Sequence, residues 1–308
     1  MSPRPALALF ALVLAACSGA SCAASRGAAA GEGDGGGSTV TPRFGWPDDF
    51  HAQVSLDHRT IRDGNRSTRA LVRHQLSAER KNGDLWVRVS NIEGEGDEPD
   101  LRLNLAIGET LVQVVSRDGA FKRAEGLDQA MAILRRAEGG ESAGDKARES
   151  IRRQVREDWE QTVGAWRGRR LVEGQTAKAE QEAPLSLLPS VLGVMDVEYL
   201  YRGRVACEEG QPELRCVELW RRMRPARKSQ QEILAQVAAG LPPPQAAALR
   251  AVSASSEVDL VTEPDTLIPH RLLVRDVLGI TVEGVDGAQH TVTERSEDSY
   301  HFTTETAL

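Results

Sequence analysis

The residue types that most often carry enzyme chemistry are present in this chain, but their spacing in the sequence indicates no particular reaction. Six histidines are scattered along the sequence without an HExxH motif or a pair four residues apart: His51, His58, His74, His270, His290 and His301. Zinc binding and nucleophilic catalysis both need such side chains to converge on one point. No Walker-type phosphate loop is present either. We therefore predict no catalytic residue, no metal ligand and no cofactor, and we interpret each histidine as an ordinary strand residue.

Two of the four cysteines lie close together in the sequence. Cys207 and Cys216 flank a polar stretch between two runs with strand character, so in an oxidising compartment we predict a disulfide across a hairpin. Closing a loop of this size would stabilise the fold by roughly 2–3 kcal/mol. The alternative is two separate buried thiols. Metal binding is disfavoured because no other cysteine or paired histidine lies nearby in the sequence.

Three further segments have both a functional and a structural interpretation. Residues 93–100 hold five carboxylates, as a calcium site would, but without EF-hand spacing, so we favour a solvated hairpin loop. Residues 221–228 are basic and could touch anionic headgroups, although we favour a charged strand end. An apolar segment could be a lid over a hydrophobic cavity or part of the core, and we favour the core. This segment contains Leu185, Leu187, Leu188, Val191, Leu192, Val194 and Met195.

The first sixteen residues have the composition of an export signal. Arg4 precedes an uninterrupted apolar run over residues 6–16, which is too short for a bilayer-spanning helix of roughly 20 residues. Leu14-Ala15-Ala16-Cys17 then resembles the lipobox of bacterial lipoproteins. That resemblance implies cleavage before Cys17, acylation of this cysteine and anchoring by several acyl chains, and Ser18 implies sorting to the outer membrane. The alternative is a secretory signal cut near Cys22, which is otherwise a free thiol.

Composition divides the rest of the chain into a tether and a folded body. Residues 17–43 are mostly Gly, Ala, Ser and Thr, so after the lipidated cysteine we predict a disordered tether with a reach of about 25–30 Å. Residues 44–308 are long enough for a single α+β domain. Aromatic residues make up 4% of the chain, which predicts a core of small aliphatic side chains. The net charge of −7 argues against nucleic acid as a partner.

Alternating apolar residues predict antiparallel strands at both ends of the body. The clearest alternation runs from Phe50 to Leu56 and is the signature of a half-buried strand. Asn82-Gly83 marks a hairpin turn. Further strands are predicted over residues 70–76, 85–89, 101–107, 111–115, 197–207, 216–223, 257–262, 271–275, 280–285, 290–295 and 299–304.

Helices are predicted between these groups of strands. The longest covers residues 145–167, where one apolar stripe should pack on a sheet face. The stripe consists of Ile151, Val155, Trp159, Val163 and Trp166. Shorter helices are predicted over residues 127–136 and 230–239, the second ended by three prolines. Strands, then helices, then strands favour an α+β fold with an antiparallel sheet over a doubly wound parallel sheet.

The lipobox, the tether and an antiparallel meander interrupted by helices together resemble the bacterial lipoproteins and periplasmic carriers of the LolA/LolB-like class. Residues 258–271 are similar to a strand, turn and strand passage of that class, with Ile268 where those proteins usually have glycine. The resemblance implies a strongly curved, open half-barrel sheet with inserted helices packed on one face. It also implies a concave apolar surface that can hold an acyl chain.

Two functions from different classes fit these features. The first is a membrane-anchored envelope lipoprotein that binds or carries a hydrophobic ligand. The alternative is a structural or interaction lipoprotein that meets another envelope protein and has no ligand cavity. A hydrolase would require a serine or carboxylate beside a histidine in a cleft. An empty apolar pocket would favour the first function, and a filled core would favour the second.

Overall fold

The computed structural model describes residues 37–64, 66–138, 144–208, 213 and 215–304. The predicted signal, Cys17 and most of the predicted tether lie outside the described residues. The strands are β1 (Thr39–Val40), β2 (Asp49–Arg62), β3 (Arg66–Lys81), β4 (Asp84–Gly96), β5 (Val112–Val115), β6 (Phe121–Glu125), β7 (Leu171–Val172), β8 (Thr176–Leu185), β9 (Leu188–Val205), β10 (Cys216–Pro225), β11 (Leu249–Thr262), β12 (Pro269–Glu283) and β13 (Gln289–Thr304).

The helices lie in the middle of the chain and before β11. They are α1 (Leu101–Gly108), α2 (Leu127–Glu138), α3 (Asp145–Trp159), α4 (Gln230–Ala239) and α5 (Pro243–Ala248). A π-helical turn, Glu160–Gly164, continues α3 directly, and a 3₁₀ turn, Arg227–Ser229, precedes α4. Among the described residues, no helix is both long enough and apolar enough to cross a bilayer.

Eleven strands form one sheet in the order β6-β5-β4-β3-β2-β13-β12-β11-β10-β9-β8. Every neighbouring pair in it is antiparallel. The pairing of β13 with β2 joins the two halves of the chain, and the sheet ends at β6 and β8 without closing into a barrel. The predicted α+β class with an antiparallel sheet is confirmed.

The alternation that predicted the first strand corresponds to one buried face. Phe50, Ala52, Val54 and Leu56 of β2 are 2–3% exposed, whereas the residues between them are mostly exposed. A period of two places every second side chain on the same face of a sheet. The helices cover this face, which we call the inner face.

The prediction of a strand over residues 101–107 is wrong, because this segment is helix α1. Its buried positions include Leu101, Asn104 and Ile107, a spacing of three that suits a helix. The helix lies directly on β4, where a Cβ at Gly94 would come within 2.7 Å of Leu105 Cδ1. The predicted solvated loop over residues 93–100 is therefore also partly wrong, since its first four residues continue β4.

Several strands are longer than predicted. β9 begins at Leu188 instead of residue 197, so it includes most of the apolar segment. β12 and β13 each run without a break through positions where two separate strands were predicted. The polar residues at those breaks are Asp276 in β12 and Ser296 and Asp298 in β13, and all three are buried. Alternation of apolar residues therefore fails to predict a continuous strand where polar residues lie on the inner face.

The long amphipathic helix and the disulfide are confirmed. All five residues of the predicted apolar stripe are 0% exposed, and the stripe continues from α3 through the π-helical turn. Cys207 and Cys216 form a disulfide that closes the β9–β10 hairpin, with their Cα atoms 5.0 Å apart. Covalent closure at this point restricts the unfolded chain and thereby stabilises the hairpin.

Candidate functional site

The inner face is apolar on one side and polar on the other. Residues directly opposite each other on paired strands share a face, so the register defines rows that cross the sheet. The apolar row consists of Val72, Leu56, Tyr300, Leu272, Leu260 and Leu219. Two residues further along the strands, the first polar row consists of Ala70, His58, Asp298, Val274, Val258, Arg221 and Tyr199. The second polar row includes Thr60, Ser296, Asp276, Ser256 and Met223.

His58 and Asp298 form the best-defined polar contact of the first polar row. His58 Nδ1 lies 2.5 Å from Asp298 Oδ1, and His58 Nε2 lies 2.9 Å from Thr60 Oγ1 and 3.9 Å from Glu98 Oε1. Burial lowers the pKa of His58, but the hydrogen bond to Asp298 and the charges of Asp298 and Glu98 outweigh it and raise the pKa to about 10. His58 is therefore a buried cation at neutral pH.

Thr60, His58 and Asp298 have the order of a catalytic triad but not its properties. A general base must be neutral at the working pH to accept a proton, whereas His58 is already protonated. The three side chains are also 8% exposed or less, so no substrate reaches them in this conformation. We interpret the group as a buried hydrogen-bonding network that fixes β13 against β2.

Asp276 lies in the second polar row, directly opposite Ser256. Burial raises the pKa of its carboxyl group to about 6, while the neighbouring hydroxyl groups of Ser256 and Ser186 offset part of the rise. Ser186 belongs to the turn between β8 and β9. Since β8 is four strands away from β12 in the sheet, this turn reaches across the inner face.

Arg221 is a buried charge of the inner face whose guanidinium has no hydrogen-bond partner among the described residues. Its side chain is on β10 opposite Tyr199, and it is 1% exposed. Burial lowers its pKa, and attraction to Tyr199, Asp276 and Glu160 opposes this effect. A guanidinium keeps its proton in almost any protein environment, so a full positive charge is buried here.

The covering segment, which we define as residues 145–166 of α3 and the π-helical turn, lies over this charge. Trp159 packs on Phe44 and Trp46, with ring centroids 5.5 and 5.4 Å away, and its Nε1 donates a hydrogen bond to Gly119 O at 2.7 Å. Trp166 meets Tyr199 edge to face at 5.7 Å. The inner face is therefore filled by this segment in the described conformation.

Glu160 opens the π-helical turn and points into the interior. Its carboxylate occupies the space that a Cβ at Gly164 would need. Burial raises its pKa to about 7, although the charges of Arg156, Arg167 and Arg221 act in the opposite direction. Single π-helical turns inside α-helices occur frequently at functional sites, and this one places an acidic group near Arg221.

Glu160 predicts a pH dependence of stability. Its pKa of about 7 in the folded protein lies above the ordinary value of 4.5, so between these values the folded chain binds more protons than the unfolded chain. The stability from protonated Glu160 is therefore fully present below pH 4.5 and is lost as the pH rises through 7. In thermal unfolding from pH 4 to 8, Glu160→Gln should gain stability relative to the unmodified protein as the pH rises.

The matched control for this prediction is Glu149→Gln on the same helix. The Glu149 side chain is 44% exposed and pairs with Arg152 at the surface. We expect its effect on Tm to be nearly constant over the same pH range. Parallel curves for Glu160→Gln and the unmodified protein would show that the Glu160 carboxyl group titrates as it does in water.

The predicted apolar lid residues lie at the β8–β9 hairpin, beside the covering segment. Leu185, Val191 and Met195 are buried, whereas Leu187, Leu188 and Leu192 are half-buried. Arg153 of α3 donates a hydrogen bond from Nη1 to Pro189 O at 2.9 Å, which ties the hairpin to the covering segment. The hairpin also packs under α4, where Gln236 Nε2 donates to Leu192 O and Gln236 Oε1 accepts from Leu192 N, both at 2.9 Å.

The disulfide has a neighbour that the sequence did not indicate. His270 at the start of β12 lies beside Cys207 and Cys216, with one ligand atom of each residue within 4.8 Å of the others. No histidine lies near these cysteines in the sequence, but the strand order brings β12 and His270 close to the β9–β10 hairpin in space. Thiolates are the zinc ligands of cysteine, and both thiols are consumed in the disulfide.

The sequence prediction of no catalytic motif overlooked two glycine patterns. Residues 140–144 read Gly-Glu-Ser-Ala-Gly and match GxSxG, while residues 31–36 match GxGxxG. A nucleophile elbow requires a strand before it and a helix after it, but Ser142 lies between α2 and α3 in the sequence. Both motifs fall wholly or mainly outside the described residues, and neither has the sequence context that its chemistry needs.

The fold and the interior define a class of α+β protein with an open, eleven-stranded antiparallel sheet and buried charges under a covering helix. No protein-family model matches the chain, and no curated protein does. A lipovitellin structure that describes lipid–protein interactions is 6% identical, with a TM-score of 0.44, over 85% of this chain and 26% of that chain. Pseudomonas aeruginosa OccK10 (OpdN) is 7% identical, with a TM-score of 0.19, over 84% and 100% of the two chains. This chain spans about a quarter of the lipovitellin chain, and neither likeness assigns a family.

Proposed function

We propose that this chain is a lipid-anchored protein of the bacterial cell envelope that binds a hydrophobic ligand on the inner face of its sheet. The observation that carries the proposal is the arrangement of the inner face: an apolar row beside polar rows, beneath one helical segment. In the proposed bound state the open sheet is a curved half-barrel, the covering segment moves away, and the ligand takes its place. The anchor would be lipid on Cys17, and the location would be the outer membrane.

The buried charges support the proposal that the covering segment can move away from the inner face. Burying an ionised group without partners costs several kcal/mol, and both Arg221 and the carboxyl group of Glu160 lie at the interface between the segment and the sheet. Moving the segment returns Glu160 to water and so recovers part of this cost. The segment also shields an apolar row that would otherwise be exposed, which explains why it stays docked without a ligand.

A specific observation favours a second candidate function. The stripe of the covering segment is fully buried, and the inner face is filled. A cleft of about 880 Å³ lies outside the inner face, beside Trp86, Arg88 and Leu127. A filled interior fits a structural lipoprotein that contacts another envelope protein through its surface and binds no ligand. The two functions differ in whether an apolar probe enters the protein.

The proposal is tested by titrating the protein with a fluorescent methyl ester of a C16 fatty acid, an uncharged apolar probe. Saturable binding, accompanied by a change in tryptophan fluorescence as Trp159 and Trp166 leave the inner face, is the expected result. An absence of binding up to the solubility limit of the probe would refute the ligand-binding function and favour the structural one.

Loosening the covering segment should strengthen probe binding. Arg153→Ala removes the hydrogen bond to Pro189 O, a partly exposed contact whose loss costs about 1–1.5 kcal/mol. Because the ligand binds only the open state, its affinity should rise with the population of that state. We expect hydrogen exchange in residues 145–166 to accelerate about 5- to 10-fold and the Kd for the methyl ester to fall by a similar factor.

Arg152→Ala is the matched control for Arg153→Ala. Arg152 is the preceding residue of the same helix, its side chain is 58% exposed, and it pairs with Glu149 at the surface. Exchange and affinity should change less than twofold in this variant. Faster exchange in Arg153→Ala without tighter binding would contradict the role of the segment as a cover.

A further inference from the structure

We propose that Arg221 binds the anionic headgroup of an amphiphile whose apolar chain lies along the apolar row. This inference rests on the proposed function and specifies its ligand class: a single-chain or diacyl lipid with a carboxylate or phosphate at one end. The contact would be a charge-assisted hydrogen bond from the guanidinium, which is well suited to both of these groups because of its fork geometry.

The first support is the state of Arg221 in the described conformation. A guanidinium offers five N–H donors, and at this position none of them has a hydrogen-bond partner among the described residues, while the residue is 1% exposed. Buried donors are normally paired, and a buried group left without a partner calls for a specific explanation. A binding site whose hydrogen bonds form only when an anion binds would explain the unpaired guanidinium.

The second support is the set of charges around Arg221. Attraction comes from the carboxyl groups of Asp276 and Glu160, and Arg169 repels it. The Arg169 guanidinium carbon lies 3.8 Å from the centre of the Tyr199 ring, so a second cation is close. Burial raises the pKa of Asp276 to about 6 and that of Glu160 to about 7, which weakens the negative charge available nearby. Glu157 of the covering segment also interacts with Arg221, and burial raises the pKa of Glu157 to about 8. Burial thus weakens the charge of all three acidic groups, and none of them forms a hydrogen bond with the guanidinium.

The third support is that Glu160 moves away from Arg221 together with the covering segment. Glu160 belongs to this segment, whereas Arg221 and Asp276 belong to the sheet. When the segment moves away, Arg221 loses the attraction of Glu160 and keeps its place on β10. The anionic end of a ligand would restore that attraction, so Glu160 and the ligand compete for the same guanidinium.

The fourth support is the distance between the parts of the inner face. Leu219 lies two residues from Arg221 on β10, about 7 Å along the strand. From Leu219 the apolar row crosses five strand spacings to Val72, about 24 Å at 4.8 Å per spacing. A headgroup at Arg221 therefore leaves a continuous apolar path for a long acyl chain.

The test compares a fluorescent C16 fatty acid with its methyl ester on three proteins. The unmodified protein should bind the acid at least 10-fold more tightly than the ester. Arg221→Met replaces the cation by an apolar side chain of similar length, so it should bind both probes within twofold of each other and keep its affinity for the ester. Arg222→Met is the matched control, since Arg222 faces outward with a 40% exposed side chain paired with Glu257, and it should keep the preference for the acid.

Competition separates a lipid headgroup from a free anion. Unlabelled hexadecyl phosphate should displace the labelled acid from the unmodified protein, and inorganic phosphate at the same concentration should not. Displacement by inorganic phosphate alone would overturn the amphiphile assignment. Thermal unfolding shows whether Arg221→Met is folded, and replacing a buried charge by an apolar group is often neutral or stabilising. If this variant does not fold, Arg221→Lys should retain a preference for the acid that is smaller than that of the unmodified protein.

Failure of this inference is distinguishable from failure of the proposed function. Equal affinity for acid and ester in the unmodified protein, or a preference that persists in Arg221→Met, overturns the role of Arg221 while ester binding still supports a hydrophobic site. If neither probe binds the unmodified protein, the proposed function itself falls.

Discussion

Asp298→Ala should lower the free energy of unfolding by roughly 3–5 kcal/mol, the usual cost of removing one partner of a buried ion pair. The side chains of Asp298 and His58 are 4% and 3% exposed, so the loss of the carboxylate leaves an imidazolium without its main counter-charge. The pKa of His58, about 10 in the intact network, should fall because burial opposes the charged form. Urea unfolding measures the first effect, and a pH titration of the His58 ring by NMR measures the second.

Asp57→Ala is the control for Asp298→Ala. Asp57 precedes His58 on the same strand, faces outward and pairs with Arg59 and Arg69 at the surface. Exposed ion pairs contribute at most about 1 kcal/mol, so this variant should be almost as stable as the unmodified protein. Equal losses in the two variants would mean that the His58–Asp298 pair is no more important than a surface contact.

Trp159→Ala should cost roughly 3–5 kcal/mol, which is typical for truncating a buried tryptophan. Trp159 is 0% exposed, packs against two other aromatic rings, and donates a hydrogen bond to Gly119 O that alanine cannot replace. We expect the loss in urea unfolding to be accompanied by faster hydrogen exchange across residues 145–166, because Trp159 is the centre of the stripe that holds this segment.

Trp86→Ala provides the comparison for Trp159→Ala. Trp86 lies on the outer face between Lys81 and Arg123, whose charged ends are 5.6 and 5.8 Å from its ring. Exposed cation–π contacts contribute about 0.5–1 kcal/mol, so this variant should lose little stability. If exchange across residues 145–166 rises equally in both variants, the covering segment is not held by the Trp159 cluster.

The apolar periodicity of the sequence predicted the elements that bury one continuous stripe. Helix α3 was predictable because its apolar residues recur at helical spacing, and β2 was predictable because its apolar residues alternate strictly. Both patterns follow directly from backbone geometry. The disulfide was predictable because the two cysteines are near each other in the chain and flank a hairpin.

The strand predictions from the sequence failed where polar residues occupy buried positions. Asp276, Ser296 and Asp298 interrupt the apolar alternation, so β12 and β13 were each predicted as two strands. These same residues form the polar rows of the candidate site. Local rules are expected to break at functional or strained positions, and here each break in the pattern coincides with a side chain that faces the interior.

Two further features depend on contacts between distant parts of the chain. The leucines of α1 alternate like a strand, and only its packing against Gly94 of β4 fixes the helix. His270 lies more than fifty residues from Cys216 in the sequence, and only the order of β9 to β12 brings it to the disulfide. The sequence showed Arg221 only as part of a basic run. Its burial depends on which side chains of β10 face the interior, and the sequence did not indicate this.

The unclosed sheet has a consequence for self-association. No strand among the described residues pairs with the outer edge of β8, and such an edge is the usual place at which a strand of another molecule adds to a sheet. Lys178, Glu180 and Glu182 occupy alternating exposed positions along this edge, and Pro184 near its end offers no N–H. Charged side chains and proline are the devices by which natural sheets discourage such pairing. We therefore expect the side chains of β8 to discourage growth of the open sheet into fibres.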